Sequence, residues 1–121
     1  MDIRNPGEGK ENPSSRTNYY LRTMEPYFNT FSEARRESTI EALRTFSVPT
    51  NYPIFFHCSV GRDRTGTCAI ILQALLGCSE EYILHDYYTS MWSVTGAFPK
   101  TSTNMYLENP QSVLDHIKAY G

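Results

Sequence analysis

The decapeptide His57–Gly66, HCSVGRDRTG, lies between the two most hydrophobic runs of the chain. Before it stands YPIFF, Tyr52–Phe56. Pro53 to His57 reads as a buried parallel strand, because the run is apolar on both faces and bounded by turn signals. After it stands TCAIILQALLG, Thr67–Gly77. A helix is expected from Arg64 to Leu76, apolar nearly all round and therefore central, with Gly77 closing its C-terminal turn. Strand, loop and helix in that order predict an α/β domain built on a parallel sheet flanked by helices. The decapeptide would then sit at the carboxyl edge of the sheet, where open α/β proteins bind ligands.

Working outward, 121 residues suffice for one domain, 1–121, and not for two. With 40% hydrophobic and 20% charged residues the composition is that of an ordinary soluble globular protein. A formal net charge of −2 gives no reason to expect a nucleic-acid or membrane surface. No apolar run reaches the length of a transmembrane segment. The first residues lack the apolar core of a signal peptide, so a cytoplasmic location is expected, with secretion left open should the native N-terminus lie upstream. Cys58, Cys68 and Cys78 are too few and too regularly spaced for a disulfide framework, and read as free thiols.

Residues 1–17 are rich in Gly, Pro, Asn, Ser and charge, and read as a loop or tail. TNYYLR, Thr17–Arg22, is a short candidate strand. MEPYFNTF reads as a loop, and Ser32 as the N-cap of a helix running to about Phe46. VPTNYP is a turn. Ser79 caps a further helix to about Trp92, with Glu80 and Glu81 favourably placed against its dipole. A long irregular connection follows. Asn109 and Pro110 are expected as N-cap and first residue of a last helix ending near Tyr120.

The decapeptide's chemistry follows from this placement. A helix beginning just after a loop aims unpaired N–H groups and the positive end of its dipole back at that loop. Anions are stabilised there, phosphate or sulfate among them. Cys58 would ionise there and become a nucleophile at neutral pH. Arg64, six residues later, carries a planar fork that grips two oxygens of a tetrahedral oxyanion. Gly61 and Gly66 let the backbone approach the anion. Ser59, Val60, Gly61, Arg62 and Thr65 complete the expected cradle, with the Thr65 hydroxyl near the sulfur. His57 is expected to brace the loop through the backbone. No metal cluster is visible, since His57, His85 and His116 lack ligand spacing, and no cofactor is called for.

HCSVGRDRTG resembles the signature His-Cys-x5-Arg-Ser/Thr-Gly of the cysteine-based protein tyrosine phosphatase superfamily. It is most similar to the atypical branch whose loop reads Gly-Lys-Asp-Arg-Thr-Gly, with Arg62 in place of the lysine. NYPIFFHC, LLGCSEEYILHDYYTS and, faintly, DIRNP extend the likeness, which is good over residues 50 to 92. The resemblance implies a four-stranded parallel sheet. Only one clear strand is present, so further strands would precede Met1 and the domain would be partial. It implies hydrolysis of phosphotyrosine, with phosphoserine or phosphothreonine as further substrates, through a phosphocysteine intermediate. Cys58 is the implied nucleophile and Arg64 the phosphate ligand.

Two alternatives stay open: a phosphoinositide phosphatase, favoured by Arg62 beside Arg64, and a phosphate-binding pseudophosphatase. The partners in view are thus phosphorylated proteins or phosphoinositides. The superfamily's upstream general-acid aspartate has no counterpart, because no aspartate lies between Asp2 and Cys58. The branch suggests Asp63 instead. Asp63 reads equally as the acid and as an ion-pair partner of a loop arginine, and Glu25 is a weaker candidate. Cys68 and Cys78 read as small core residues. Asp86 and Tyr87 read as packing and hydrogen-bonding residues behind the loop, and the other tyrosines, Tyr27 included, as core or rim.

Overall fold

In a computed structural model the chain is described over residues 1–5, 19–95 and 105–120. The helices are α1 (Arg36–Arg44), α2 (Asp63–Leu75), α3 (Glu80–Thr95) and α4 (Met105–Tyr120). Short 3-10 turns at Tyr27–Phe31, Glu33–Arg35, Thr45–Ser47 and Pro49–Asn51 shape the segments before the decapeptide.

α2 is the centre of the molecule. It packs against α3, α4 and the Tyr27–Phe31 turn. Cys68, Ile70 and Ile71 join Ile3, Met24, Ile83, Val113 and Leu114 in the core. Each fully buried isoleucine contributes about 1.5–3 kcal/mol. The expected all-round burial holds for the middle of α2 and fails at its end, where Leu75 and Leu76 are exposed.

The ends of α2 and α3 follow local rules. Gly77 has φ +78°. Its N–H donates to the Ala74 carbonyl and that of Cys78 to the Gln73 carbonyl, which closes α2 in a Schellman motif. The Tyr82 N–H donates to Ser79 Oγ at 3.2 Å, the expected cap of α3.

The expected α/β fold is overturned. The described residues are predominantly helical and contain no strand and no sheet. Three extended segments do touch, but each pairing is one residue long: Asp2 bridges Leu21 on one side and His57 on the other, both parallel. The Asp2 N–H donates to the Tyr20 carbonyl and the Ile3 N–H to the His57 carbonyl, each at 2.8 Å. The run Pro53–His57 cannot extend this into a ladder. A 3-10 turn ends at Asn51, Pro53 has no N–H to donate, and the chain bends away into the loop at Ser59. Oily residues there satisfied the strand pattern without partner strands to pair with.

Three smaller expectations also change. The stretch read as a loop forms the Tyr27–Phe31 turn. Ser32 makes no side-chain cap, and the helix proper begins at Arg36. α4 begins at Met105, so Pro110 lies inside it rather than at its start. A proline near a helix N-terminus removes a donor that first-turn residues lack a partner for anyway, and the rule misplaces the start by one turn or more when the proline sits deeper. The expected tail, residues 1–17, is described only for 1–5, and the connection before α4 lies largely outside the described residues.

Gly77 provides a test of these local rules. A Cβ at this position would meet nothing within 4 Å, so the cost of a side chain is purely one of backbone conformation. Gly77→Ala should lower unfolding free energy by about 1–2 kcal/mol. Gly77→Asn should cost less, because asparagine tolerates the left-handed region. Urea denaturation of the three proteins measures both, and equal stabilities would remove the capping role.

Candidate active site

The decapeptide folds as a loop from Cys58 to Arg62 that runs directly into α2 at Asp63. Gly61, at φ +73°, supplies the left-handed turn that curls the loop back over the helix start. Cys58 is buried, 7% exposed. The backbone N–H groups of Val60, Gly61 and Thr65 and the Thr65 hydroxyl lie near enough to its sulfur to favour the thiolate. Burial pushes the Cys58 thiol up, but these four donors together pull it down further, so it ends below its ordinary value. Thr65 Oγ1 is buried and meets no partner at ordinary hydrogen-bond geometry, the sulfur included, so its hydroxyl stands near Cys58 without a formed bond to it.

His57 stands where the sequence reading put it. Its Nδ1 lies 3.1 Å from the Cys58 carbonyl oxygen, and its backbone N–H donates to the Met1 carbonyl at 3.1 Å. The segment on which it leans is anchored by Asp2, buried and held by Arg4 Nε at 2.7 Å and the Tyr19 hydroxyl at 2.9 Å. Arg4 holds the Asp2 carboxyl below the usual carboxylate range against the opposing effect of burial.

Asp63 begins α2 and is fully engaged. Arg62 grips its carboxylate with both arms of the fork, Nε to Oδ1 at 2.8 Å and Nη2 to Oδ2 at 3.1 Å. The Tyr27 hydroxyl donates to the same Oδ1. Burial pushes the Asp63 carboxyl up, but Arg62, Tyr27 and the nearby charge of Arg64 hold it below its usual range. Of the two readings of Asp63, the ion pair is the one present, and Arg62, expected in the cradle, is its partner. Glu25, the other acid considered, pairs with Arg35 at 3.3 Å.

Ser59 and Val60 are exposed on the loop, while Arg64, Thr65 and Gly66 are half-buried at the first turn of α2. Gly66 is required by its neighbour, since a Cβ there would stand 2.8 Å from Cε2 of Tyr87. Asp86 is exposed on α3 and accepts from Gln73 Nε2 at 2.9 Å. Cys68 is buried and pushed up to about 12 by burial, an inert thiol. Tyr27 was missed. Its contacts with Asp63 and Tyr87 span 36 and 60 residues, and no local pattern marks them.

Among the described residues no group of three or more His, Cys, Asp or Glu side chains is gathered to hold a metal ion. Among them, too, no helix is long and apolar enough to cross a membrane.

A family model described as "Tyrosine phosphatase family" matches residues 2–117. The chain is also 46% identical over 37 residues to a protein of Cupriavidus necator whose name assigns it provisionally to the tyrosine-protein phosphatases. That alignment covers 31% of this chain and 14% of the other protein, so the chain spans only a small part of its relative's length. No solved structure matches.

The sulfur's surroundings give a direct expectation. A thiol with a lowered pKa is ionised at and above that pKa, and alkylation follows the thiolate. Iodoacetamide labelling read site by site in a mass spectrometer should modify Cys58 with a pH midpoint below that of an ordinary cysteine, and leave Cys68 unlabelled. Thr65→Ala should move the Cys58 midpoint upward. An unmoved midpoint would mean that the hydroxyl does not act on the sulfur.

Proposed function

Because the chain belongs to the tyrosine phosphatase family, we propose that it hydrolyses phosphate monoesters, phosphotyrosine foremost, with Cys58 as nucleophile. The observation that carries this is Cys58, buried in a loop that runs straight into the start of a central helix, with backbone N–H groups near enough to lower its pKa. Those donors suit a thiolate and, one bond further out, the oxygens of a phosphoryl group.

In the proposed reaction the Cys58 thiolate attacks phosphorus in line. The S–P bond forms as the bond to the leaving oxygen breaks, and that oxygen takes up a proton. Water then attacks the phosphocysteine, the S–P bond breaks, the thiolate is restored and inorganic phosphate leaves. Arg64 is assigned to the equatorial oxygens, with the N–H groups of the loop. Positioning and electrostatics account for such catalysis, and no cofactor enters it.

Asp63 is assigned the bracing role rather than that of the acid. A carboxylate held by a two-armed arginine and a tyrosine, and kept below its usual range, is a poor proton donor near neutrality. The same pair bears on substrate class. Arg62 spends its fork on Asp63, which leaves less cation for the further phosphates of an inositide head group. A monoester on an aromatic alcohol, whose leaving oxygen needs little protonation, fits this balance best.

Three variants test the reading. Cys58→Ser should retain phosphate binding and lose all but about 1% of turnover of an aryl phosphate. Arg64→Lys keeps the charge but not the fork, and should lower kcat by ~10²-fold or more. Normal kinetics in either would remove that residue from the reaction. Asp63→Asn should slow nitrophenyl and alkyl phosphates alike. If it slows the alkyl ester by a further ~10²–10⁴-fold, Asp63 is the general acid after all.

A further inference from the structure

Tyr27 is held in an unusual way. Its φ of +55° lies in the left-handed region, and it is the non-glycine residue there among the described residues. A bulky side chain at such an angle persists only where its surroundings over-determine it, and such residues cluster at functional sites. Both ends of Tyr27 are fixed. Its backbone N–H donates to Thr67 Oγ1 at 2.7 Å, and that hydroxyl donates on to the Asp63 carbonyl at 2.8 Å. At the other end, its phenol oxygen lies 2.6 Å from that of Tyr87 and donates to Asp63 Oδ1. The rings of Tyr27 and Tyr87 meet edge to face at 6.3 Å.

These contacts bind a separate element, the Tyr27–Phe31 turn, to the first residue of α2 through main chain and side chain together. Arg64, assigned above to the phosphate, is the next residue after Asp63. The N–H of Thr65, which lies near the sulfur, follows it. The angle at which α2 leaves the loop therefore sets both. Asp63 is the handle by which that angle is held, and Tyr27 grips the handle from outside the loop.

We propose that Tyr27 is a positioning residue of the active site, acting through Asp63 to fix the start of α2 against the phosphate-binding loop. The proposal deepens the phosphatase reading and rests on it for its kinetic consequence. Tyr87 shares the role one step back. It supplies the partner that orients the Tyr27 hydroxyl, and its ring is the reason for a glycine at position 66.

The test uses Tyr27→Phe, Tyr87→Phe, Asp63→Ala and the double variant Tyr27→Phe/Asp63→Ala, in the full chain. Two readouts run in parallel: kcat and KM on an aryl phosphate, and the protection of Cys58 from iodoacetamide by inorganic phosphate. Thermal melting reports whether each variant folds. Tyr27→Phe should lower kcat/KM about tenfold, the scale of one hydrogen bond to a charged group. Phosphate protection should weaken by a similar factor. Tyr87→Phe should move both readouts the same way by less. On the Asp63→Ala background, Tyr27→Phe should add less than about twofold, since the route through Asp63 is already cut. Parental kcat/KM and parental protection in folded Tyr27→Phe would overturn the proposal. So would losses that multiply in the double variant, because Tyr27 would then act by another route. Should the parent protein itself turn over nothing, the phosphatase reading fails, and phosphate protection alone still decides whether Tyr27 sets the loop.

Discussion

A thiolate needs partners for its charge, and at Cys58 the backbone provides them. The sulfur is nearly out of solvent, which favours the neutral thiol. That preference is offset by the N–H groups of Val60 and Gly61 in the loop and of Thr65 in the first turn of α2. Much of the local structure serves this arrangement. Gly61 takes the angle that brings the loop around, and Gly66 makes room for Tyr87. α2 is buried enough in its middle turns to be a fixed platform rather than a fraying end. A helix that moved by an ångström would carry the donors away from the sulfur, and catalysis by positioning is steep in such displacements.

What was legible in the sequence was what is decided locally. The loop, the run of α2, the left-handed Gly77 and the Ser79 cap each depend on residues within a few positions of one another. The absence of a sheet among the described residues was not legible, because strand pairing is a property of distant segments and YPIFF carries only one side of it. An apolar run bounded by Pro53 and a loop satisfies the strand pattern whether or not partners exist. Here its contact narrows to a single bridge at His57. α4 was misjudged for a related reason: Pro110 marks a helix start only by statistical habit, and the chain around it tolerates the missing donor. In the site, the placing of Cys58 in a loop that leads directly into α2 was readable from the order of the residues. The engagement of Asp63 was half readable, since Arg62 adjoins it. Tyr27 and Tyr87 come from elsewhere in the chain, and nothing in their own neighbourhoods marks them.

The support behind the loop has its own electrostatics. Asp2 anchors the extended segment to which the His57 backbone is bonded, and His57 in turn leans on the Cys58 carbonyl. The Asp2 carboxyl is lowered by Arg4, so its contribution to stability is present above the unfolded carboxylate pKa and is lost as pH falls through the folded one. Asp63 is lowered too and carries the same sign. The lowered Cys58 thiol likewise favours the folded state once pH exceeds its folded value. Acid therefore weakens the frame behind the loop and the brace in front of it together, whereas the Cys58 contribution builds at higher pH, from its lowered folded value up to the ordinary thiol value.

The order of charges explains why a carboxylate stands between two arginines at the start of α2. The start of α2 already carries the positive end of a helix dipole. Two arginines, at positions 62 and 64, add to it. Without an anion bound, such a site would repel itself. Asp63 at the first helical position meets the dipole and one arginine at once, and the Cys58 thiolate answers the rest. The brace on Asp63 must then hold it without altering this balance. A lysine or arginine in place of Tyr27 would compete with Arg62 for the carboxylate and raise the positive charge again. A second carboxylate would drive Asp63 towards protonation and release Arg62. A neutral hydroxyl donates one hydrogen bond and brings no charge. Burial and its two partners push the Tyr27 phenol far above its ordinary value, so it stays protonated and a donor at neutral pH. A tyrosine rather than an ionised residue is thus what the electrostatics of the loop require at that point.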